Sequence, residues 1–225
     1  MVQNLFPHQM PPQGARHSTT AQMTSYLGPS GRLMGNTQSR GWVHQTVRQW
    51  LRVARRPEEI ARVMRVWRQI HYLAKPERGN HHDPIGRETI RLHYCLNMPA
   101  LRVPPAPWFP AAAITIRYCL PGGIPAPLGL ESPLQALEIA RNFVADDVRE
   151  IRDMSPEILR EVVRRIRAGD DWASVVKGRV LWKPQWLLSF SDPGVGHDGG
   201  LYRGAGAEYL GARSGGKDVW GWPLT

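Results

Sequence analysis

A chain of 225 residues, 42% of them hydrophobic, has enough apolar side chain for one sizeable core and too much for a wholly disordered polymer. Lys and Arg number 29 against 19 acidic residues, a formal charge of +10, so polyanions are the favoured long-range partners: DNA, RNA or an anionic membrane face. No apolar run approaches the ~18–20 residues a membrane span needs, and the N-terminus lacks the basic-then-apolar order of a secretory signal. Cys95 and Cys119 stand far apart without a CxxC, which suits a reducing cytoplasm and describes neither a disulfide framework nor a zinc site.

Residues 1–40, rich in Gln, Ser, Thr, Pro and Gly, bury too little apolar surface to offset ordering entropy and read as a disordered arm. Residues 41–225 read as one domain. From Trp42 to Ile70 the pattern is helical. Val43, Val47, Trp50 and Leu51 recur at helix spacing, as do Ile60, Val63, Met64, Trp67 and Ile70, with Pro57-Glu58-Glu59 marking a helix start. Arginines 48, 52, 55, 56, 62, 65 and 68 crowd these helices; most read as a solvated face, some as a surface for DNA phosphates. Residues 71–90 read as loop.

Two β-rich runs follow, Thr89–Leu96 and Ala113–Leu120, separated by a proline-dense connection at 99–110 that cannot be a central strand. Ala136–Ala145 is a strand with Glu138 and Arg141 inside it. Ser155-Pro156-Glu157 opens a helix, with serine as N-cap, whose stripe is Ile158, Leu159, Val162, Val163 and Ile166 and which Gly169 ends. Trp186–Ser191 is a short apolar strand running into Asp192-Pro193. A glycine turn, a helical stretch near Leu201–Ala205 and a strand at Glu208–Leu210 complete an order that argues for an α/β or α+β sheet.

The segment LLSFSDPGVGHDGGLYRGAGAEYLG (187–211) resembles the signature of Mom-type phage DNA-modification proteins. In that family a strand ends in Asp-Pro, Gly-His follows, a tyrosine stands ten residues after the aspartate, and Y-x-G opens the next strand. Asp192, His197 and Tyr202 hold those places here. Upstream, Glu138-Ile139-Ala140-Arg141-Asn142-Phe143-Val144 fits the family strand E-[LIV]-[SAG]-R-x-[WFY]-V. His71-Tyr72 fits its early His-Tyr pair, with His93-Tyr94 as a rival.

The resemblance implies a GNAT-like α+β fold: a mixed central sheet flanked by helices, with strands that splay to admit an acyl donor. It implies transfer of a small acyl-derived group to adenine N6 in double-stranded DNA of the phage, in the cytoplasm of the bacterial host, protecting that DNA from restriction. Asp192, His197 and Tyr202 become catalytic candidates. Arg141 and Arg149 become ligands of acetyl-CoA or a related donor, and His71 and Tyr72 substrate-pocket residues. No metal ligand is assigned, although the family leaves Fe(II) open, and a homodimer is equally open. The sequence departs from the GNAT pattern at 144–155. That segment has no glycine with which to cradle pyrophosphate and carries two adjacent aspartates, so Arg149 and Arg152 would have to substitute.

Each residue also has a plainer reading. Asp192 suits the first position of an Asp-Pro turn, Tyr202 a packed amphipathic ring, and His197 a backbone-bonded turn residue. Arg141 could pair with Glu138 or an aspartate. His81-His82-Asp83 reads as solvated loop, since adjacent ligands rarely converge on one ion. A GNAT-fold N-acyltransferase acting on a small amine or protein, and a non-catalytic DNA-binding protein, are the competing functions.

Overall fold

The computed structural model describes residues 40–69, 90–97, 110–119, 124–176, 183–213 and 215–225. The arm at 1–39, His71-Tyr72, the His81-His82-Asp83 cluster and most of the proline-dense connection lie outside the described residues. The elements in chain order begin with α1 (Arg40–Trp50), β1 (Leu51–Val53), α2 (Pro57–Gln69), β2 (Arg91–Leu96), β3 (Ala112–Tyr118) and β4 (Ala136–Val144). There follow α3 (Asp146–Arg149), α4 (Met154–Ala168), α5 (Asp170–Val176), β5 (Trp186–Ser191), α6 (Gly200–Gly204), β6 (Glu208–Arg213) and β7 (Lys217–Pro223). The seven strands form one mixed sheet in the order β1-β2-β3-β4-β5-β7-β6. Every neighbouring pair is antiparallel except β4–β5, which is parallel. This is the helix-flanked mixed sheet that the sequence resemblance implies.

Side-chain alternation divides the sheet between two sets of helices. Leu92, Tyr94, Leu96, Ile114, Ile116 and Leu137 join the buried stripe of α4 (Ile158, Leu159, Val162, Val163, Ile166) in the main core, to which α1 adds Val43 and Val47. Tyr94 donates its hydroxyl to Asp171 of α5 at 3.0 Å, placing α5 on the same face. The opposite face carries α2, where Trp67 Nε1 donates to Thr115 Oγ1 at 2.9 Å and His93 Nδ1 meets the same hydroxyl at 2.9 Å. On that second face Cys119, Ala136 and Leu188 form a smaller cluster beneath Ile124, Leu128 and Leu130.

The helix α1 is tied to α4 by charge. Glu161, almost sealed from water, accepts from Arg164 Nε at 2.7 Å and Arg165 Nε at 2.8 Å, and Arg48 approaches it at 3.7 Å. Burial alone would raise that carboxyl, but the two arginine hydrogen bonds hold it down at about 2. His44 Nδ1 meets Glu157 at 2.6 Å, and Arg160 also bonds Glu157.

Three local readings are corrected. The helical stretch of 42–70 is broken by β1, because Leu51–Val53 pairs with Tyr94–Leu96 and leaves α2 to restart at Pro57. There the Glu59 carboxylate accepts from the backbone of Arg55 and Arg56 at 3.0 and 3.1 Å, as a residue of the first turn can. Ser155 is not the cap of α4. The N-cap is Asp153, held at φ 62°, and the serine lies inside the first turn with its hydroxyl buried. Aspartate is among the few residues that tolerate this left-handed geometry. The short strand at Glu208–Leu210 extends to Arg213 and turns back as β7, which the sequence reading did not include.

Two stability effects follow. Arg117 and Glu138 form a buried ion pair, Nε–Oε1 2.6 Å and Nη2–Oε1 2.5 Å. Glu138→Gln, which withdraws the carboxylate from a sealed guanidinium, should cost about 3–5 kcal/mol in urea unfolding, whereas the double replacement Arg117→Met/Glu138→Met should recover much of the loss. His93 is buried, and its pKa is lowered to about 4 by burial and then by the charge of Arg91. Its unfolded value is near 6.5, so the unfolded chain binds the proton first. Stability should fall as pH drops from about 6.5 towards 4, by about 3 kcal/mol in all, and His93→Gln should flatten that dependence.

Candidate active site

The β4–β5 pairing is short. Ala136, Leu137 and Glu138 pair with Trp186, Leu187 and Leu188, and beyond Glu138 the strands part. The cause lies in β4. Thr115 pairs with Arg141 and Ile116 with Ile139, so Ala140 is an extra residue with no partner on β3. Such a bulge bends its strand and strengthens its twist. The gap it opens holds a cavity of about 360 Å³, lined by residues 139–142 and 144 of β4, by Arg149 and Ser155, by Phe190 and Ser191 of β5, and by the loop from Gly196 to Tyr202. Crevices beyond the carboxyl ends of parallel strands are where sheets of this kind bind ligands.

Several residues singled out from the sequence meet here. Arg141, Arg149, His197 and Tyr202 all line the cavity. Tyr202 contacts two indoles, its ring centroid 6.4 Å from that of Trp220 and 6.2 Å, edge-on, from that of Trp222. Its hydroxyl stands 3.5 Å from the Phe190 carbonyl. Trp220 donates to Ser191 Oγ at 2.9 Å and Trp222 to the Ala205 carbonyl at 3.1 Å, fixing the wall against which α6 rests. Arg149 donates to the Val144 carbonyl at 3.0 Å and lies 3.6 Å from Asp146. The Glu138 carboxylate is held by Arg117.

Asp192 does not line the cavity. Its carboxylate accepts from Gly194 N at 3.1 Å and its carbonyl from His197 N at 3.1 Å, shaping the turn that delivers His197. The acid that does line the cavity is Asp198, bonded to Gly200 N at 2.8 Å. The sequence reading missed it, although an aspartate just before Gly-Gly is a helix-start signal. Asn142 and Ser155 were also missed. Their Oδ1 and Oγ atoms are buried with no hydrogen-bond partner in this structure, and both residues line the cavity. Among the described residues no three His, Cys, Asp or Glu side chains are grouped to hold a metal ion. Among them, too, no helix is long and apolar enough to cross a membrane.

The strand order places a single parallel pair, which parts, inside an otherwise antiparallel sheet. Solved structures resemble the chain at low identity. NAA60 of Arabidopsis thaliana, in complex with acetyl-CoA, matches at 10% identity and TM-score 0.47, over 77% of this chain and 98% of that one. The GNAT domain of S. lividans PAT matches at 14% and 0.45, over 77% and 89%. A candidate GNAT-family acetyltransferase from Desulfovibrio desulfuricans matches at 13% and 0.46, over 78% and 98%. No family model and no curated protein matches the chain.

Gly199 sets the loop that carries His197 and Asp198. It sits at φ +74°, and a Cβ there would fall 2.2 Å from the Trp220 ring. Gly199→Ala should therefore destabilise the fold by about 2–4 kcal/mol and displace Trp220, read by urea unfolding and by near-ultraviolet circular dichroism.

Proposed function

We propose that this chain is an N-acyltransferase that takes its donor from an acyl-CoA held between β4 and β5 and its acceptor nitrogen from adenine in duplex DNA. The observation that carries the first half is the pair of orphaned polar atoms, Asn142 Oδ1 and Ser155 Oγ, in the wall of a cavity made by two parting parallel strands. Buried polar atoms without partners are costly, so a ligand with amide or hydroxyl groups is the natural complement. The residues present suit an acyl-CoA. Arg149 offers the cation that phosphates need, in place of the missing glycine nest, and the β4 backbone beyond Glu138 is free of β5. An acyl-CoA bound there would supply an activated thioester carbonyl.

The protein's own groups then handle protons. An exocyclic adenine amine is a weak nucleophile, because its lone pair is delocalised into the ring, so its attack needs a base. His197 is the base that takes the proton the nitrogen sheds. Tyr202 gives its hydroxyl proton to the departing thiolate. Asp192 acts at one remove, by holding the turn that aims His197.

Two features support DNA as acceptor: the +10 charge, and the resemblance of residues 187–211 to adenine-modifying Mom proteins. Exposed arginines 52, 55, 62 and 65 on and around α1 and α2 would neutralise phosphates, and reaction at a base requires its extrusion from the stack. The modified adenine would then no longer be read by restriction enzymes.

Mass spectrometry of nucleosides from plasmid DNA, recovered from bacteria expressing the chain, tests this reading. A heavier deoxyadenosine is expected, falling about 100-fold or more with Tyr202→Phe. Unmodified DNA, together with CoA-dependent acylation of a small amine or a lysine, would move the acceptor away from nucleic acid.

A further inference from the structure

We infer that the cavity is two-sided, and that Arg141 serves the acceptor rather than the donor: with Arg213 and the Phe190 ring it takes a phosphate-bearing acceptor with a planar ring, a nucleotide. The inference rests on the acyl-transfer reading above and adds which wall holds which substrate.

Strand register carries it. In a regular strand residues 138 and 141 would point to opposite faces, but the unpaired Ala140 returns Arg141 to the face of Glu138. Arg141 pairs directly with Thr115, whose hydroxyl is bonded to Trp67 of α2, so its side chain leaves the sheet on the α2 face. Asn142 pairs with Ile114, which belongs to the α4 core, and Ser155 is in the first turn of α4 itself. The two orphaned polar atoms therefore lie on one side of the gap and Arg141 on the other.

Phe190 shares the face of Leu188 and the smaller cluster, and Arg213 lies over its ring at 5.3 Å. On β4 and β5, which border the gap, and on β3, β7 and β6 beyond them, the charged side chains of this face are Arg117, Arg141, Arg213 and Lys217 against Glu138 and Glu208. Arg117 is already neutralised by Glu138. A guanidinium lining the gap, a second one stacked on an aromatic ring and an excess of positive charge suit a phosphate joined to a flat heterocycle.

Calorimetry on the full chain separates the walls, using CoA as one probe and deoxyadenosine 5′-monophosphate, added to CoA-saturated protein, as the other. Arg141→Gln should leave CoA affinity within about 2-fold and weaken the nucleotide about 10-fold or more, while Arg149→Gln should do the reverse. Arg141→Lys should recover part of the nucleotide affinity but not all, since a lysine cannot make a bidentate contact. Loss of CoA affinity in Arg141→Gln with nucleotide affinity unchanged would put Arg141 on the donor wall and overturn the inference. Failure of the unaltered protein to bind CoA would instead overturn the acyl-transfer reading, and this inference with it.

Discussion

Three residue pairs join β4 to β5, and the pairing stops where Ala140 interrupts the register of β4 against β3. A sheet whose centre stayed paired would be a closed slab with its polar residues forced to the edges. Because the pairing stops, the middle of the sheet offers unpaired strand edge, a cavity, and access from both faces. The elements that line the gap each arrive from a neighbouring turn: α3 and the start of α4 from the end of β4, and the Gly196–Tyr202 loop from the end of β5. One extra residue thus marks where the sheet opens.

The surroundings are built to hold that opening without collapse. Trp220 and Trp222 are anchored through their indole N–H groups and form the wall beside Tyr202. Arg117 and Glu138 seal the last paired position from the α2 side. Buried ion pairs contribute little net stability, but they strongly penalise alternatives that leave one partner alone, which favours a single register at the mouth of the gap. On the other side Glu157 and Glu161 draw α1 onto α4 through His44 and Arg48.

Much of this was legible in the sequence, for physical reasons that can be named. The stripe of α4, the Pro57 start of α2 and the bounds of β5 follow from periodicity and from residues with fixed backbone preferences. The unread elements lack such signals. β1 is three residues long, too short for any period, and exists through its pairing with β2. β7 contains Gly221 and Pro223, which break a strand pattern, yet a Cβ at 221 would fall 2.6 Å from Leu210. At the site, His197 and Tyr202 were found through a motif, whereas Asn142 looked like any strand polar residue and Ser155 like a cap. The bulge at Ala140 carries no glycine or proline to announce it, so the face on which Arg141 emerges could not be read before the register was known.

The single parallel pair also divides the sheet by chain connectivity. β2, β3 and β4 pair successively, as do β6 and β7, and β5 joins the latter, whereas β4 and β5 are linked only across α3, α4 and α5. Local pairings close small loops and form early; the central one closes a long loop and forms late. The gap is therefore the seam between two locally assembled halves, joined by three residue pairs. Unpaired amides along the two lips of the seam should exchange faster than those of the paired strands beside them. A molecule seated in the seam contacts both halves at once, so occupancy would act as a suture, coupling the arrival of a ligand to the cooperativity of the whole fold.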